Sequence, residues 1–371
     1  MTRPLLSAAL IVRDEAVVLD SCLVSLAGLA DEVVVVDTGS VDVSPAIASR
    51  HGARVVHHPW RDDFSEARNV ALDAARGRWI LYLDADERVV AGDRAYVEEL
   101  LAGASEVAFR LLLRPTLGST AYREYRLWRN DERIRFQGVI HETVVPAIHR
   151  VATADGRAVG LAEIVLQHVG YEGDQVAKHR RNLPLLRRQL EATPGNLFVW
   201  HHLARVVEGL GEEAAAEATL ETALAIARAK PAVDPVGALI FADLVRRRLE
   251  RRASVASLLA AGRASYPDNY LLIYYEGHWL IEQGRFGEAV ERFEQVLAAD
   301  PSVLPPGSPA YERRLLADLA HDGRASALFR AGRYPEAAAA WGAAEALMPD
   351  EPSYAVKRRL AAARSRRKDG R

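Results

Sequence analysis

Cysteine is nearly absent from this 371-residue sequence. Cys22 is the single one, so no disulfide can form within the chain, and the composition fits a reducing compartment. Cys22 shares a helical face with Leu19, Leu23 and Leu26 and reads as a core thiol rather than a nucleophile. An excess of either charge is also missing: 48 Lys and Arg face 50 Asp and Glu. No strong field argues for nucleic acid or an anionic membrane surface as partner. Long apolar runs are lacking too. The first, residues 5–12, is too short to span a bilayer. Charged Arg13-Asp14-Glu15 ends it, with no small-residue cleavage site following. The expectation is a cytoplasmic, soluble protein without a transmembrane segment. Zinc-type His and Cys spacings and a Walker-type phosphate loop are absent.

What is present is alternation. Residues 5–12, 33–36 and 53–56 read as strands, and residues 16–29, 44–50 and 64–76 as helices. Ser44-Pro45 looks like an N-cap with proline at the first helical position, and Asp63 with Glu66 looks like a capping box. The fourth strand is the stretch Trp79-Ile80-Leu81-Tyr82-Leu83-Asp84-Ala85-Asp86-Glu87, apolar at its start and acidic at its end. On a strand, Asp84 and Asp86 project to one side. They would sit at the carboxyl edge, where open α/β sheets bind ligands. Four strand–helix alternations predict an α/β fold with a parallel sheet. After a helix from 94 to 101, residues 107–113, 125–128, 134–140 and 163–169 read as strands of an added antiparallel part, with a hairpin turn in 150–160.

From about residue 176 the chain is helical and repetitive. Pro194, Pro231, Pro267, Pro301 and Pro349 follow helix-like segments in steps of 37, 36, 34 and 48 residues, the last step holding an insertion around 301–309. Gly284, Ala289, Phe293 and Pro301 are spaced like Gly332, Ala337, Trp341 and Pro349. A period near 34 is the tetratricopeptide signature. Residues 357–371 are basic and read as a solvated capping helix and tail. The expected domains are 1–175, a mixed-sheet α/β domain, and 176–371, an all-α repeat domain.

Several stretches, in this order, resemble the family 2 glycosyltransferases of the nucleotide-sugar (GT-A, Rossmann-like) type. They are Ile11-Val12-Arg13-Asp14-Glu15, Asp31 to Ser40 (DEVVVVDTGS), Phe64-Ser65-Glu66-Ala67-Arg68-Asn69 and Leu83-Asp84-Ala85-Asp86-Glu87. Phe136-Gln137-Gly138-Val139-Ile140-His141-Glu142 and His168-Val169-Gly170-Tyr171 extend the match. The resemblance is to a branch with tetratricopeptide-like helices after the transferase domain, which includes bacterial peptide glycosyltransferases. Val41 departs from the threonine usual in the family and leaves the role of Asp42 open.

The resemblance implies a metal-dependent, inverting transfer from a nucleotide-diphosphate-sugar, a UDP-sugar by preference. Glu15, Asp37, Arg68, Asn69 and Asp84 would bind the donor. Asp84, Asp86 and His168 would hold Mg2+ or Mn2+. Glu142, ahead of His141, would be the catalytic base, and Gly138 would let the chain pass close to the donor sugar. The expected acceptor is a polypeptide chosen by the repeats; the alternatives are a surface glycan or lipid-linked saccharide, or a non-catalytic peptide-binding protein. A homodimer is a further possibility. Each residue also has a plainer reading: turn and cap chemistry for Glu15 and Asp37, a solvated helix-face guanidinium for Arg68, a strand-end pair for His141-Glu142, a core imidazole for His168. A nucleotidyltransferase is disfavoured, because no glycine-rich, lysine-bearing loop follows the first strand.

Overall fold

The computed structural model describes residues 3–116, 118–170, 175–300 and 310–369. The chain divides into two compact units, Met1–Leu117 with Ala121–Pro194 and Gly118–Thr120 with Gly195–Arg371.

The first unit carries β1 (Leu6–Val12), α1 (Ala16–Leu26), β2 (Glu32–Asp37), α2 (Ser44–Arg50), β3 (Arg54–His57), α3 (Phe64–Ala74), β4 (Trp79–Tyr82), β5 (Glu87–Ala91), α4 (Arg94–Ala102), β6 (Ala108–Pro115), β7 (Tyr122–Arg129), α5 (Val145–Asp155), β8 (Val159–His168) and α6 (Gln175–Ala192). Its eight strands form one sheet in the order β3-β2-β1-β4-β7-β6-β8-β5. β1 to β4 are parallel, and β7 joins β4 antiparallel. The inner parallel strands β1, β2 and β4 are largely apolar on both faces because helices cover both. Leu6, Ala8, Leu10, Val35, Trp79 and Leu81 pack with α1, α2 and α4. Ala9, Val34, Val36 and Ile80 pack with α3 and α5 on the other side.

Four expectations for this unit change. Residues 134–140 form no strand, only an isolated bridge between Gln137 and Thr143. Residues 150–160 hold no hairpin turn: Pro146 stands in the first turn of α5, and Gly156 ends that helix in the left-handed conformation. The fourth strand stops at Tyr82, so Asp84 to Glu87 form a turn closed by the Glu87 amide donating to the Asp84 carbonyl at 3.0 Å. α6, expected to open the helical domain, groups with the sheet.

The second unit is all helical: α7 (Leu197–Gly209), α8 (Glu213–Ala229), α9 (Gly237–Glu250), α10 (Ala256–Ser265), α11 (Tyr270–Glu282), α12 (Phe286–Leu297), a 3-10 turn Arg313–Leu316, α13 (Asp318–Arg330), α14 (Tyr334–Leu347) and α15 (Pro352–Asp369). The helices pair as hairpins, giving a distantly tetratricopeptide-like array. Each hairpin turn holds one left-handed residue, Gly211, Arg252, Gly284 or Gly332. The α11–α12 and α13–α14 turns also share an ion pair, Arg285 with Glu288 and Arg333 with Glu336. Phe293 is fully buried, and a β-carbon on Gly323 would fall 2.3 Å from its ring. The paired small and aromatic residues therefore set how closely α12 and α13 approach. The insertion at 301–309 lies outside the described residues.

Candidate functional site

The strand ends build the site. β1 ends at Val12, and the α1 N-terminus follows with Glu15 as N-cap residue. β4 ends at Tyr82, and the Asp84–Glu87 turn hands the chain to β5. β5 pairs antiparallel with β8, placing Glu87 opposite His168. Two cavities open on this edge. One, of about 320 Å³, is lined by Arg13, Glu15, Thr38, Asp84, Asp86 and His168 among others. The other, of about 570 Å³, is lined by Tyr82, Tyr125, Arg126, Phe136, His141 and Glu142 among others. Phe64, Arg68, Asp84, Lys178 and Arg181 line both.

Arg68, near the middle of α3, is buried where the two cavities meet. Its Nη2 donates to Asp84 Oδ1 at 2.8 Å and its Nε to Glu142 Oε1. Its guanidinium lies 4.4 Å from the centre of the Tyr82 ring. Arg126 lies 4.3 Å from the same ring centre. Arg126 binds Glu87 at 2.8 Å and Glu124 at 2.9 Å, with Asp84 at 3.7 Å. Burial works against ionising Asp84, but Arg68 and Arg126 outweigh it and hold its carboxyl down at about 2.

Asp86 behaves oppositely. Burial raises its pKa, and Asp84 adds to that, against His168 whose Nδ1 stands 3.5 Å from Asp86 Oδ1. Glu15 is pushed up to about 7, first by burial and then by Asp86 and Asp84. The smaller cavity thus holds carboxylates in mutual repulsion, a place where positive charge is favoured. The trio Asp84, Asp86 and His168 expected as metal ligands does not converge. Among the described residues no three His, Cys, Asp or Glu side chains do. The reason is that Asp84 faces the two arginines.

The remaining expected residues are placed as follows. Asp37 is buried, accepts from the Ser40 amide at 3.1 Å and stands 3.2 Å from His57 Nδ1. It braces the turn after β2, and Thr38 is the residue of that turn in the cavity wall. Asn69 is engaged at both ends by the Phe136 backbone, at 3.0 and 2.9 Å. It pins the segment that leads to His141 and Glu142. Gly138 has φ +102°, and the side chain it passes closely is Gln189, not a ligand position. His141 adopts φ 51°, uncommon for a residue with a β-carbon. Burial, then Lys178, pushes its pKa down to about 4, which leaves the ring neutral at pH 7. Ser44 is not an N-cap but accepts from the Glu15 amide at 2.9 Å. Asp42 accepts from the Ala16 amide at 3.0 Å, so its role is to anchor the start of α1.

Arg126 was not anticipated from sequence. The β6–β7 register steps from Phe109↔Leu127 to Arg110↔Tyr125, which makes Arg126 the extra residue of a β-bulge. Bulges re-aim side chains beside active sites. The one sequence signal was the run Tyr122-Arg-Glu-Tyr-Arg-Leu-Trp-Arg129, unusually charged for a strand.

Residues 7–104 match the family model described as glycosyl transferase family 2. A TPR repeat-containing protein of Synechococcus elongatus is 33% identical over 80% of this chain and 75% of its own length. The lipopolysaccharide core biosynthesis glycosyltransferase LpsC of Rhizobium meliloti is 33% identical over 38% of this chain, which spans 57% of that relative. Among solved structures, the mannosyltransferase PcManGT of Pyrobaculum calidifontis, in complex with GDP-Man and Mn2+, gives a TM-score of 0.38 at 18% identity, covering 71% of this chain and 87% of that one. The matched model runs from β1 through α4, and the Synechococcus relative extends the likeness over most of the chain, so the chain belongs to the family 2 glycosyltransferases.

Proposed function

We propose that the protein transfers a sugar from a nucleotide-diphosphate-sugar to a hydroxyl of a saccharide acceptor. The observation that carries this is the pair of cavities meeting at Asp84 and Arg68. In this reading the smaller one takes the donor and the larger one the acceptor. The acceptor oxygen forms a bond to the anomeric carbon, and the bond to the diphosphate oxygen breaks. The electron pair leaves on the nucleoside diphosphate, and the acceptor proton passes to a base. Glu142 is that base in an inverting transfer. Arg68 fixes its Oε1, while its Oε2 forms no hydrogen bond with the described residues. His141, held neutral, is the neighbouring group that can share the proton.

A divalent cation fits the smaller cavity as an ion completed by the donor, not as one caged by protein. Mg2+ and Mn2+ suit sites with one or two carboxylates plus substrate phosphates. Asp86, with His168 beside it, would hold the ion, since Asp84 is engaged by arginine. When bound, it supplies charge neutralisation on the departing diphosphate.

For the acceptor, a saccharide is favoured over the polypeptide first expected, because LpsC is named for lipopolysaccharide core biosynthesis. The helical repeats are then a surface for a glycan chain or for a second copy. Nucleotide release from a panel of UDP-, GDP- and other nucleotide sugars, with Mn2+ or with excess chelator, tests the reading. Release from at least one sugar donor is expected, and its loss in chelator. No release from any donor would sink the assignment, and full activity in chelator would remove the metal from it.

A further inference from the structure

The larger cavity has more positive charge than its own carboxylates can pair. Six cations line it, Arg68, Arg110, Arg123, Arg126, Lys178 and Arg181, against Asp84, Glu124 and Glu142. Arg68 already binds Asp84 and Glu142, and Arg126 binds Glu87 and Glu124. That uses every carboxylate in the wall. Among the described residues, none lies within 4 Å of Arg110, Lys178 or Arg181. Arg123 reaches Glu163, whose side chain is 74% exposed and stands outside the wall. Solvent screens that partner.

Donor groups are left over as well. Nη1 of Arg68 and Nη1 of Arg126 are buried without a hydrogen bond, and so is Nε of Arg110. Arg68 and Arg126 are only 8% and 5% exposed. An unsatisfied buried donor is destabilising unless a ligand completes it. A guanidinium is best completed by a planar or tetrahedral anion that accepts two bonds.

Placement separates this charge from the donor site. Lys178 and Arg181 line both cavities and can serve the diphosphate. Arg110, Arg123 and Arg126 line only the larger one. Arg110 stands opposite Tyr125, and Arg123 opposite Leu112, across the β6–β7 pair. Two positions apart on adjacent strands, Arg110 and Arg123 share a sheet face with Tyr125, whose ring centre lies 6.0 Å from the Arg110 guanidinium. The bulge brings Arg126 to the same cavity.

We propose, resting on the transferase reading above, that the acceptor is an anionic saccharide whose phosphate or carboxylate is held by Arg110, Arg123 and Arg126. The sugar ring then packs against Tyr125 and Phe136, and the reacting hydroxyl faces Glu142.

The test uses the full chain. Calorimetric titration with nucleoside diphosphates first finds the nucleotide that fills the smaller cavity. A chain that binds none overturns the transferase reading itself. With that nucleotide saturating, glucose, glucose 6-phosphate and glucuronate are titrated in turn. At least one of the two anions is expected to bind ten-fold or more tightly than glucose, and the tighter one names the anion. Arg110→Gln should remove most of that preference, and Arg110→Lys, which keeps the charge, should retain more of it. Nucleotide affinity measured on each variant separates a folding loss from a local one. Equal binding of the three sugars, binding of none of them, or an undiminished preference in folded Arg110→Gln overturns the proposal while leaving the transferase reading standing.

Discussion

At the residue scale, Asp84 and Asp86 have the same functional group and opposite environments. Asp84 is flanked by two buried guanidiniums and stays ionised far into acid; Asp86 is crowded by Asp84 and by burial. On the proposed reading Asp86 is the carboxylate that holds the cation, and Asp86→Asn should lower turnover by a factor on the order of 10² or more while leaving the melting temperature nearly unchanged. Steady-state kinetics beside a thermal melt checks this, and retained turnover would reassign the residue. Glu142→Gln should leave nucleotide-sugar affinity intact and slow transfer by about 10² to 10⁴. Weakened donor binding with normal transfer would make Glu142 a donor ligand instead. Glu15 supplies a pH signature. Its pKa in the fold, about 7, lies above the ordinary 4.5. The folded chain therefore binds this proton more tightly than the unfolded chain. Its contribution to stability is present below pH 4.5 and is lost as pH rises to 7. Glu15→Gln should flatten that part of the stability–pH curve, measured by urea unfolding at pH 5 and pH 8.

At the scale of elements, the turn after β4 and the bulge in β7 do most of the positioning. The turn presents Asp84 to Arg68, and the bulge delivers Arg126 to within 3.7 Å of Asp84. In the helical unit the controlling contact is Phe293 against Gly277 and Gly323. Gly323→Ala places a methyl 2.3 Å from a fully buried ring. Overpacking of this kind costs about 1–3 kcal/mol, so denaturant unfolding should show a clear loss of stability, while nucleotide affinity stays as in the wild type. An unchanged midpoint would mean that α12 and α13 separate at little cost.

At the scale of the molecule, two units carry separate cores, the sheet layers in one and the helical hairpins in the other. Every residue of the candidate site belongs to the first. Hydrogen exchange with saturating nucleotide should therefore gain protection at the ends of β1 and β4 and in the β4–β5 turn. The hairpins α7 to α15 should change little. Among the described residues no helix is long and apolar enough to cross a membrane.

The sequence alone determined the strand–helix alternation, the acidic edge at Glu15, Asp84 and Asp86, and the repeating helices. These rest on local physics: apolar period, cap chemistry and proline and glycine punctuation are written in neighbouring residues. The failures share a cause as well. Residues 134–140 look strand-like because they are apolar and aromatic, but Asn69, distant in sequence, holds their backbone at Phe136. Arg68 was expected to bind the donor, but nothing local to it shows that packing brings Glu142, 74 residues away, to its side. The pairing of Asp84 was not legible because its two arginine partners come from α3 and from a bulge in β7, and no local pattern predicts a bulge. Tertiary structure decided which carboxylates are paired with arginine and which cations have no carboxylate beside them among the described residues. That choice depends on pairings between groups far apart in sequence, where burial makes each unpaired charge count.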